Sequence, residues 1–240
     1  MQQIKREILN QEKYKSYYGY SEPKEYNVGF IPHKSGKYII EIDSEIETVS
    51  QFSTAIQCLN VAKEEDEIEI HLQCNGGNVD AGGAFIHAIR KCPANIHIIA
   101  TGGNHSYATH ILLEADTFEL SENFNSLIHN GGSGAIGNIN EYHAKSDFDK
   151  KFIRDGFFSC YEGFLSNDEI EGVLRGDNIW LDAEAWVQRH DARNEYFKAK
   201  AEVYMKANML VNENTTPEQE LMFIEEVAPT PKRKPRAIKK

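Results

Sequence analysis

The sequence predicts a mixed α/β layer fold, and three observations carry this prediction. Short β-rich runs alternate with helical patterns along the chain, glycine-rich turns separate them, and the hydrophobic content is 40%. The apolar face of each strand must be covered, and helices between strands supply that cover. A chain of 240 residues is long enough for one such domain with additional segments at its ends.

The first predicted elements are the most regular. Residues 37–42 are β-rich, and residues 49–63 place apolar side chains mostly at helical spacing. Residues 67–73 alternate with period two, which indicates a strand, and a tight glycine turn follows. We expect Asp80 to cap the next helix, over residues 81–91.

Three short strands and one helix are predicted next. Residues 96–100 are β-rich, and the helix expected over 106–114 starts just past the following glycine turn. Strands are expected near 117–120 and 126–128, before a glycine-rich stretch.

Two helices are predicted further along the chain. The first, over 140–166, carries more aromatic surface than a small domain easily hides, which indicates a helix used for subunit contact. The second, over 167–174, has Asn167 as its N-cap and Gly176 just beyond its end.

Composition divides the chain into three parts. Residues 1–35 are predicted to be an extended segment, rich in tyrosine and interrupted by proline and glycine. Residues 36–195 are predicted to form the folded domain. Residues 196–240 are predicted to be an extension that ends in a flexible basic tail.

The charge of the chain argues against a nucleic-acid partner. The net charge is −11, and six of the 26 basic residues lie between Lys232 and Lys240, where no acidic residue occurs. The preceding 231 residues carry 20 basic and 37 acidic side chains, so most of the surface repels phosphate. The tail could bind an acidic surface, but a solvated end is the simpler interpretation.

The cysteines indicate a reducing compartment. Their spacing fits neither a metal-ligand pair nor a dense disulfide framework, so we expect reduced thiols in a cytoplasmic protein. Cys74, beside the glycine turn, is interpreted as a buried small thiol and not as a nucleophile. No apolar run resembles a signal peptide or reaches bilayer-spanning length, so neither secretion nor a membrane partner is expected.

Three polar residues occur where a strand or a helix is expected to start or end. Ser106 lies at the start of a predicted helix, where unpaired backbone amides favour negative charge. His129 ends a predicted strand, and Asp177 follows a helix terminated by glycine. A serine nucleophile needs a base within hydrogen-bond reach and a third group that fixes the imidazole tautomer, and these residue types meet that need.

Residues 36–191 resemble the Clp protease proteolytic-subunit family. The motifs that carry the resemblance follow the family's order: Asn-Gly-Gly-Asn-Val at 75–79, Gly102 before Ser106, Leu-Ile-His at 127–129 and Arg-Gly-Asp-Asn at 175–178. The resemblance implies a ClpP/crotonase-like fold of repeated β-β-α units with a protruding handle, made of a strand and a long helix. It implies a serine endopeptidase with Ser106 as nucleophile, His129 as general base and Asp177 orienting the histidine.

The resemblance also implies an oxyanion hole and an assembly. Backbone amides of Gly76 or Gly77 and of Tyr107 would bind the oxyanion, because glycine lets an N–H approach the substrate carbonyl. Residues 131–137 correspond to the handle strand. The family forms heptameric rings stacked in pairs around a chamber that admits polypeptides, with a possible AAA+ unfoldase partner. No metal or organic cofactor is expected.

Two substitutions near Ser106 keep other functions open. The family usually has Ser-Pro where this chain has Cys74-Asn75, and Met-Gly where this chain has Tyr107-Ala108. One alternative is therefore a catalytically weak subunit that binds or modulates a Clp machine. A less favoured alternative is an acyl-CoA enzyme of the crotonase superfamily. A bacteriophage-encoded relative that processes virion proteins is a variant of the serine-endopeptidase hypothesis.

Overall fold

The computed structural model describes residues 26–31, 35–132, 134 and 137–212, which form a mixed α/β fold. The strands in these residues are β1 (Val28–Ile31), β2 (Lys37–Ile42), β3 (Glu67–Leu72), β4 (Asn95–Ala100), β5 (Gly103–His105), β6 (Thr117–Leu120), β7 (Asn125–Ile128) and β8 (Ile179–Asp182). The α-helices are α1 (Ser53–Val61), α2 (Val79–Lys91), α3 (Tyr107–Leu112), α4 (Ile139–Cys160), α5 (Asn167–Arg175) and α6 (Ala183–Asn212), and a 3₁₀ helix spans Val49–Phe52 directly before α1.

The larger sheet contains five strands in the order β1-β2-β3-β4-β6. β1 is antiparallel to β2, and the other neighbours are parallel. Ile40, Ile70 and Ile98 are register partners across β2, β3 and β4, and all three are fully buried. Because alternate residues of a strand share a face, this register fixes one apolar side of the sheet.

Helices α1 and α2 pack against each other beside this core. Phe52, just before α1, stacks on Phe85 of α2 with 4.5 Å between ring centroids, and both rings are fully buried. Burial of each ring stabilises the fold by about 1.5–3 kcal/mol. The stack therefore holds α2 against the segment that leads into α1.

The smaller sheet contains β5, β7 and β8, with β7 in the middle. β5 is parallel to β7, and β8 is antiparallel to it. The carboxyl ends of β5 and β7 therefore meet the amino end of β8 at one edge, next to His105, Ile128 and Ile179. We refer to this edge as the site edge.

The cap of α2 differs from the prediction. The helix begins at Val79, and its N-cap is Asn78, whose Oδ1 accepts a hydrogen bond from the Ala81 amide at 2.9 Å. Asp80 is instead an acidic residue of the first helical turn. Asparagine is as favourable an N-cap as aspartate, so the residue two positions earlier takes this role.

The helix predicted over 140–166 ends earlier than expected. α4 stops at Cys160, and Gly163 adopts φ +75° in the turn that follows. Ser166, and not Asn167, caps α5 through a capping box with Glu169. Gly176 ends α5 in the left-handed conformation at φ +115°, as predicted.

The predicted handle strand falls only partly within the described residues. Residues 131, 132, 134 and 137 show no strand, and residues 133, 135 and 136 lie outside the described part of the chain. A long helix is present as α4, and four of its large apolar side chains are exposed: Ile139, Tyr142, Phe148 and Phe152. These four side chains are therefore not covered by the rest of the described chain.

The last helix crosses the predicted domain boundary. α6 runs from Ala183 to Asn212 without interruption at residues 195 and 196. Residues 1–25, which are most of the segment predicted over 1–35, and residues 213–240, which contain the basic tail, lie outside the described residues. The described part of the N-terminal segment includes β1, which pairs with β2 and so belongs to the larger sheet. Within the described ranges, no helix is both long enough and apolar enough to span a membrane.

Candidate active site

Ser106 occupies a strained position between β5 and α3. Its φ of +53° and ψ of −124° make it the one non-glycine residue with positive φ among the described residues. Such a conformation costs on the order of 1–3 kcal/mol and persists only where the surroundings enforce it. The side chain makes no capping hydrogen bond to α3, so its hydroxyl is not used to stabilise the helix.

The peptide groups on both sides of Ser106 are fixed by hydrogen bonds. Its amide donates to the Leu127 carbonyl at 2.7 Å, which ties it to β7. Its carbonyl accepts from the Thr109 hydroxyl at 2.6 Å and from the Thr109 amide at 3.0 Å. These bonds hold the turn in its strained conformation and set the direction of the Ser106 side chain.

Gly76 packs directly on this turn. A Cβ atom at Gly76 would lie 2.7 Å from Ser106 Cβ and 2.7 Å from the Tyr107 amide nitrogen. Gly76 also has φ +86°, which favours glycine. The glycine turn and the Ser106 turn are therefore in van der Waals contact, and only a residue without a side chain fits between them.

Gly77 is held against Ile46 on its other side. The Gly76 carbonyl accepts from the Ile46 amide at 2.8 Å, and the Asn78 amide donates to the Ile46 carbonyl at 2.7 Å. In a trans peptide the N–H points opposite to the C=O, so the Gly77 N–H points away from Ile46. In the described part of the chain, no acceptor is hydrogen-bonded to this N–H.

Tyr107 is the first residue of α3, where helix geometry leaves the backbone N–H without an intrahelical acceptor. Its ring lies over Gly82 of α2, where an added Cβ would clash with the ring atoms. Burial raises the pKa of its hydroxyl to about 12. The ring is therefore a neutral packing element that holds the start of α3 against α2.

Two histidines near Ser106 in sequence have other partners. His105 Nε2 lies 2.9 Å from Asn125 Oδ1, and its ring meets the edge of Trp180. His110 packs between the rings of Tyr107 and Tyr161, and burial, followed by the positive charge of Arg90, lowers its pKa to about 4. A histidine held neutral by burial is a poor acceptor for a proton from serine.

His129 follows β7 at the site edge. The parallel register pairs His105 with Leu127, so Ser106 and His129 both emerge where their strands end. His129 is partly buried. The topology therefore brings the predicted base to the same edge as the predicted nucleophile.

Asp177 reaches the same edge from β8. It lies two residues before Ile179, which pairs with Ile128 in the antiparallel register. Its carboxylate, however, is exposed and lies over Gly172 of α5, where an added Cβ would be 2.6 Å from Asp177 Oδ2.

The triad is not closed by hydrogen bonds in this state. Among the described residues, none joins the side chains of Ser106, His129 and Asp177. The structure thus brings Ser106, Gly76 and Tyr107 into contact. It places His129 and Asp177 only at the same edge of the small sheet.

Asn130 is a site-edge residue that the sequence did not reveal. Its Nδ2 donates to the Leu174 carbonyl at 3.0 Å, and this bond ties the end of β7 to the end of α5. Its buried Oδ1 has no partner among the described residues. No pattern distinguishes this asparagine in the sequence, because its role depends on a helix 44 residues away.

The segment that contains this turn matches a known protein family. Residues 34–150 match the family model described as Clp protease. A comparison with curated proteins finds no match to this chain. The matched segment includes Ser106, His129 and the two glycines of the turn, and it ends before Asp177. Residues 34–150 therefore belong to the Clp protease family, and this membership implies a peptidase.

Proposed function

We propose that this protein is a serine endopeptidase in which Ser106 is the nucleophile, His129 the general base and Asp177 the residue that orients His129. The observation that carries the proposal is the backbone of Ser106, which is strained at φ +53° and lies directly on Gly76. A strained serine at a strand-to-helix turn exposes its hydroxyl and sets it beside free backbone amides.

The proposed reaction uses these groups in sequence. His129 takes the proton from Ser106 Oγ, and the oxygen attacks the carbonyl carbon of the peptide bond. The tetrahedral oxyanion accepts hydrogen bonds from the Tyr107 amide and from an amide of the glycine turn. His129 then gives its proton to the leaving amine, and water attacks the acyl-enzyme in the same way to release the second product.

Asp177 must move to take part. Its carboxylate lies over Gly172, so orienting His129 requires a rotation away from α5. The exposed carboxylate has room to rotate, and the pairing of β8 with β7 keeps the nearby backbone at the site edge. Catalytic hydrogen bonds are often absent before substrate binds, so the open arrangement is compatible with the mechanism.

A ring assembly accounts for the exposed apolar side chains of α4. The apolar side chains there, with Phe148 63% exposed and Phe152 54% exposed, need a partner surface. We propose that they contact other copies of the chain in heptameric rings stacked in pairs, with polypeptide substrates cut in the enclosed chamber. An AAA+ unfoldase as the source of substrate is part of this proposal. Sedimentation velocity of the full chain tests the assembly, since a monomer would contradict it.

A second candidate function is a catalytically weak subunit that binds or modulates another Clp machine. The observation that favours it is the absence of hydrogen bonds among the three side chains in the described residues, together with Cys74 and Tyr107 at positions where the resembled family has other residues. The crotonase alternative is less favoured because the family match is to Clp protease.

A fluorophosphonate probe separates the two candidates. In a peptidase, Ser106 Oγ forms a bond to phosphorus, fluoride leaves, and His129 accepts the serine proton. We expect label on Ser106 in the wild-type protein, none in Ser106→Ala and strongly reduced labelling in His129→Ala. His105→Ala is the matched control, because it removes a neighbouring imidazole that is bonded to Asn125. An assembled wild-type protein without label would favour the weak subunit.

A further inference from the structure

The thiol of Cys74 is hydrogen-bonded in two directions beside the glycine turn. The Gly76 amide donates to Cys74 Sγ at 3.2 Å, and the thiol donates to the Ser44 carbonyl at 3.0 Å. The side chain is 2% exposed. Burial raises the pKa of the thiol to about 11, so the sulfur keeps its proton near neutral pH and can act as donor and acceptor together.

These bonds make the two glycine amides unequal. The Gly76 N–H is directed to sulfur and is not free to meet a substrate oxygen. The Gly77 N–H has no such partner and points away from Ile46, which holds the peptide groups on either side of it. Only the second amide is therefore available to an oxyanion that forms at Ser106.

We infer that Cys74 is a positioning residue that holds the Gly76 amide inside the turn and thereby commits the Gly77 amide to the oxyanion. The inference rests on the proposed function and assigns the sulfur no contact with substrate. The thiol affects the reaction only by holding the backbone of the glycine turn in place.

Loss of the sulfur acceptor would loosen this turn. The Gly76 amide would be left buried without a partner, which disfavours its present orientation. Gly76 and Gly77 have φ +86° and +139°, and glycines can rotate between such conformations more readily than other residues. A misplaced amide binds the oxyanion less well, and small displacements of this kind slow enzymatic reactions considerably.

Three variants test the inference through the rate of Ser106 labelling by the fluorophosphonate probe. Cys74→Ala removes the acceptor, whereas Cys74→Ser keeps an acceptor and a donor. Cys92→Ala is the matched control, since Cys92 is also 2% exposed. It follows the last residue of α2, roughly 20 Å along the helix axis from the glycine turn that precedes this helix. We expect Cys74→Ala to lower the maximal labelling rate roughly tenfold, less than removal of a whole oxyanion donor.

The readouts separate positioning from simple stability. The half-saturating probe concentration should not change in Cys74→Ala, and Cys74→Ser and Cys92→Ala should label within about threefold of wild type. Equal losses in Cys74→Ala and Cys92→Ala would overturn the inference, since both variants lose a buried thiol. A wild-type labelling rate in folded Cys74→Ala would overturn it as well.

A structure of the labelled protein gives a direct test that does not depend on the variants. We expect the phosphonyl oxygen to accept from the Gly77 and Tyr107 amides, with the Gly76 amide still on Cys74 Sγ. A phosphonyl oxygen bonded to the Gly76 amide overturns the inference but leaves the proposed function intact. Absence of any label on wild-type Ser106 overturns the proposed function itself, and the inference with it.

Discussion

Tyr161 Oη lies 2.6 Å from Thr109 Oγ1 in the protein interior, and the same threonine hydroxyl donates to the Ser106 carbonyl. A hydroxyl has one proton, so Thr109 accepts from Tyr161 while it donates to Ser106. Burial raises the pKa of Tyr161 well above its ordinary value, which keeps its proton in place. Two hydrogen bonds thus link the residue that follows α4 to the strained turn.

Removal of the tyrosine hydroxyl should weaken this link. We expect Tyr161→Phe to lower the free energy of unfolding by about 1 kcal/mol, because one buried hydrogen bond is lost. The labelling rate of Ser106 should fall roughly two- to fivefold, since the carbonyl of the turn is held less firmly. Thermal unfolding and labelling kinetics measure the two effects.

Tyr196→Phe is the control for that variant. Its hydroxyl also donates a hydrogen bond, to Glu162 at 3.0 Å, but the side chain is 44% exposed. The control should change stability by less than about 0.5 kcal/mol and leave labelling unchanged. Identical behaviour of the two variants would show that the link to Ser106 has no effect.

A methyl group at Gly76 should abolish labelling. In Gly76→Ala, the new Cβ would lie 2.7 Å from Ser106 Cβ and from the Tyr107 nitrogen, so the two turns must separate. We expect a loss of at least 100-fold in the labelling rate, comparable to the loss of an oxyanion donor.

Gly156→Ala is the matched control for Gly76→Ala, because a Cβ at this position of α4 meets no atom within 4 Å. Alanine favours the helix, so stability should rise by about 0.5–1 kcal/mol without effect on labelling. Normal labelling of Gly76→Ala would contradict the proposed contact between the two turns.

Asp177→Asn tests the third member of the proposed triad. An amide cannot stabilise the imidazolium and favours the wrong tautomer of His129, so the labelling rate should fall by about 10²–10⁴-fold. Because Asp177 is exposed, the melting temperature should change little. Asp168→Asn, an exposed change in the first turn of α5, serves as control. Wild-type labelling of Asp177→Asn would remove this residue from the mechanism.

The ion pair between Glu169 and Arg189 predicts a pH dependence of stability. Hydrogen bonds from Arg189, and then from Ser166, lower the pKa of Glu169 from 4.5 to about 2. Its contribution is therefore complete above pH 4.5 and is lost as the pH falls toward 2. The pair is about one-third exposed, so we expect on the order of 1 kcal/mol after solvent screening.

Melting curves of wild type and Glu169→Gln test this dependence. The wild type should melt about 2–4 °C higher at pH 7, and this difference should shrink steadily below pH 4.5. Glu202→Gln, an exposed change on α6, should show no such trend. A difference that is constant down to pH 2 would contradict the assigned role of the carboxylate.

Local patterns explain which strands were predictable. β3 alternates buried and partly exposed residues, and Ile68, Ile70 and Leu72 all lie in the core as the period-two pattern predicts. β5 was missed because Gly-Asn-His at 103–105 has no apolar periodicity and gains its strand geometry only from pairing with β7.

Part of the candidate site also carries local signals in the sequence. The glycine turn and Ser106 carry local signals, namely unusual glycine density and a strand-to-helix junction. The approach of Asp177 depends on pairing between Ile128 and Ile179, which no local pattern encodes. The resting position of its carboxylate over Gly172 depends on packing between α5 and the following turn, and it was likewise invisible in the sequence.

The continuity of α6 limits how the chain can be shortened. Tyr196 lies one residue past the predicted end of the domain, yet its ring covers Gly163 and its hydroxyl holds Glu162, which also pairs with Lys200. Truncation after residue 195 would remove these contacts from the turn that joins α4 to α5. The Asp177 carboxylate lies against α5, so its position depends on this turn. A minimal fragment that keeps the site edge intact must therefore retain α6 at least through Lys200.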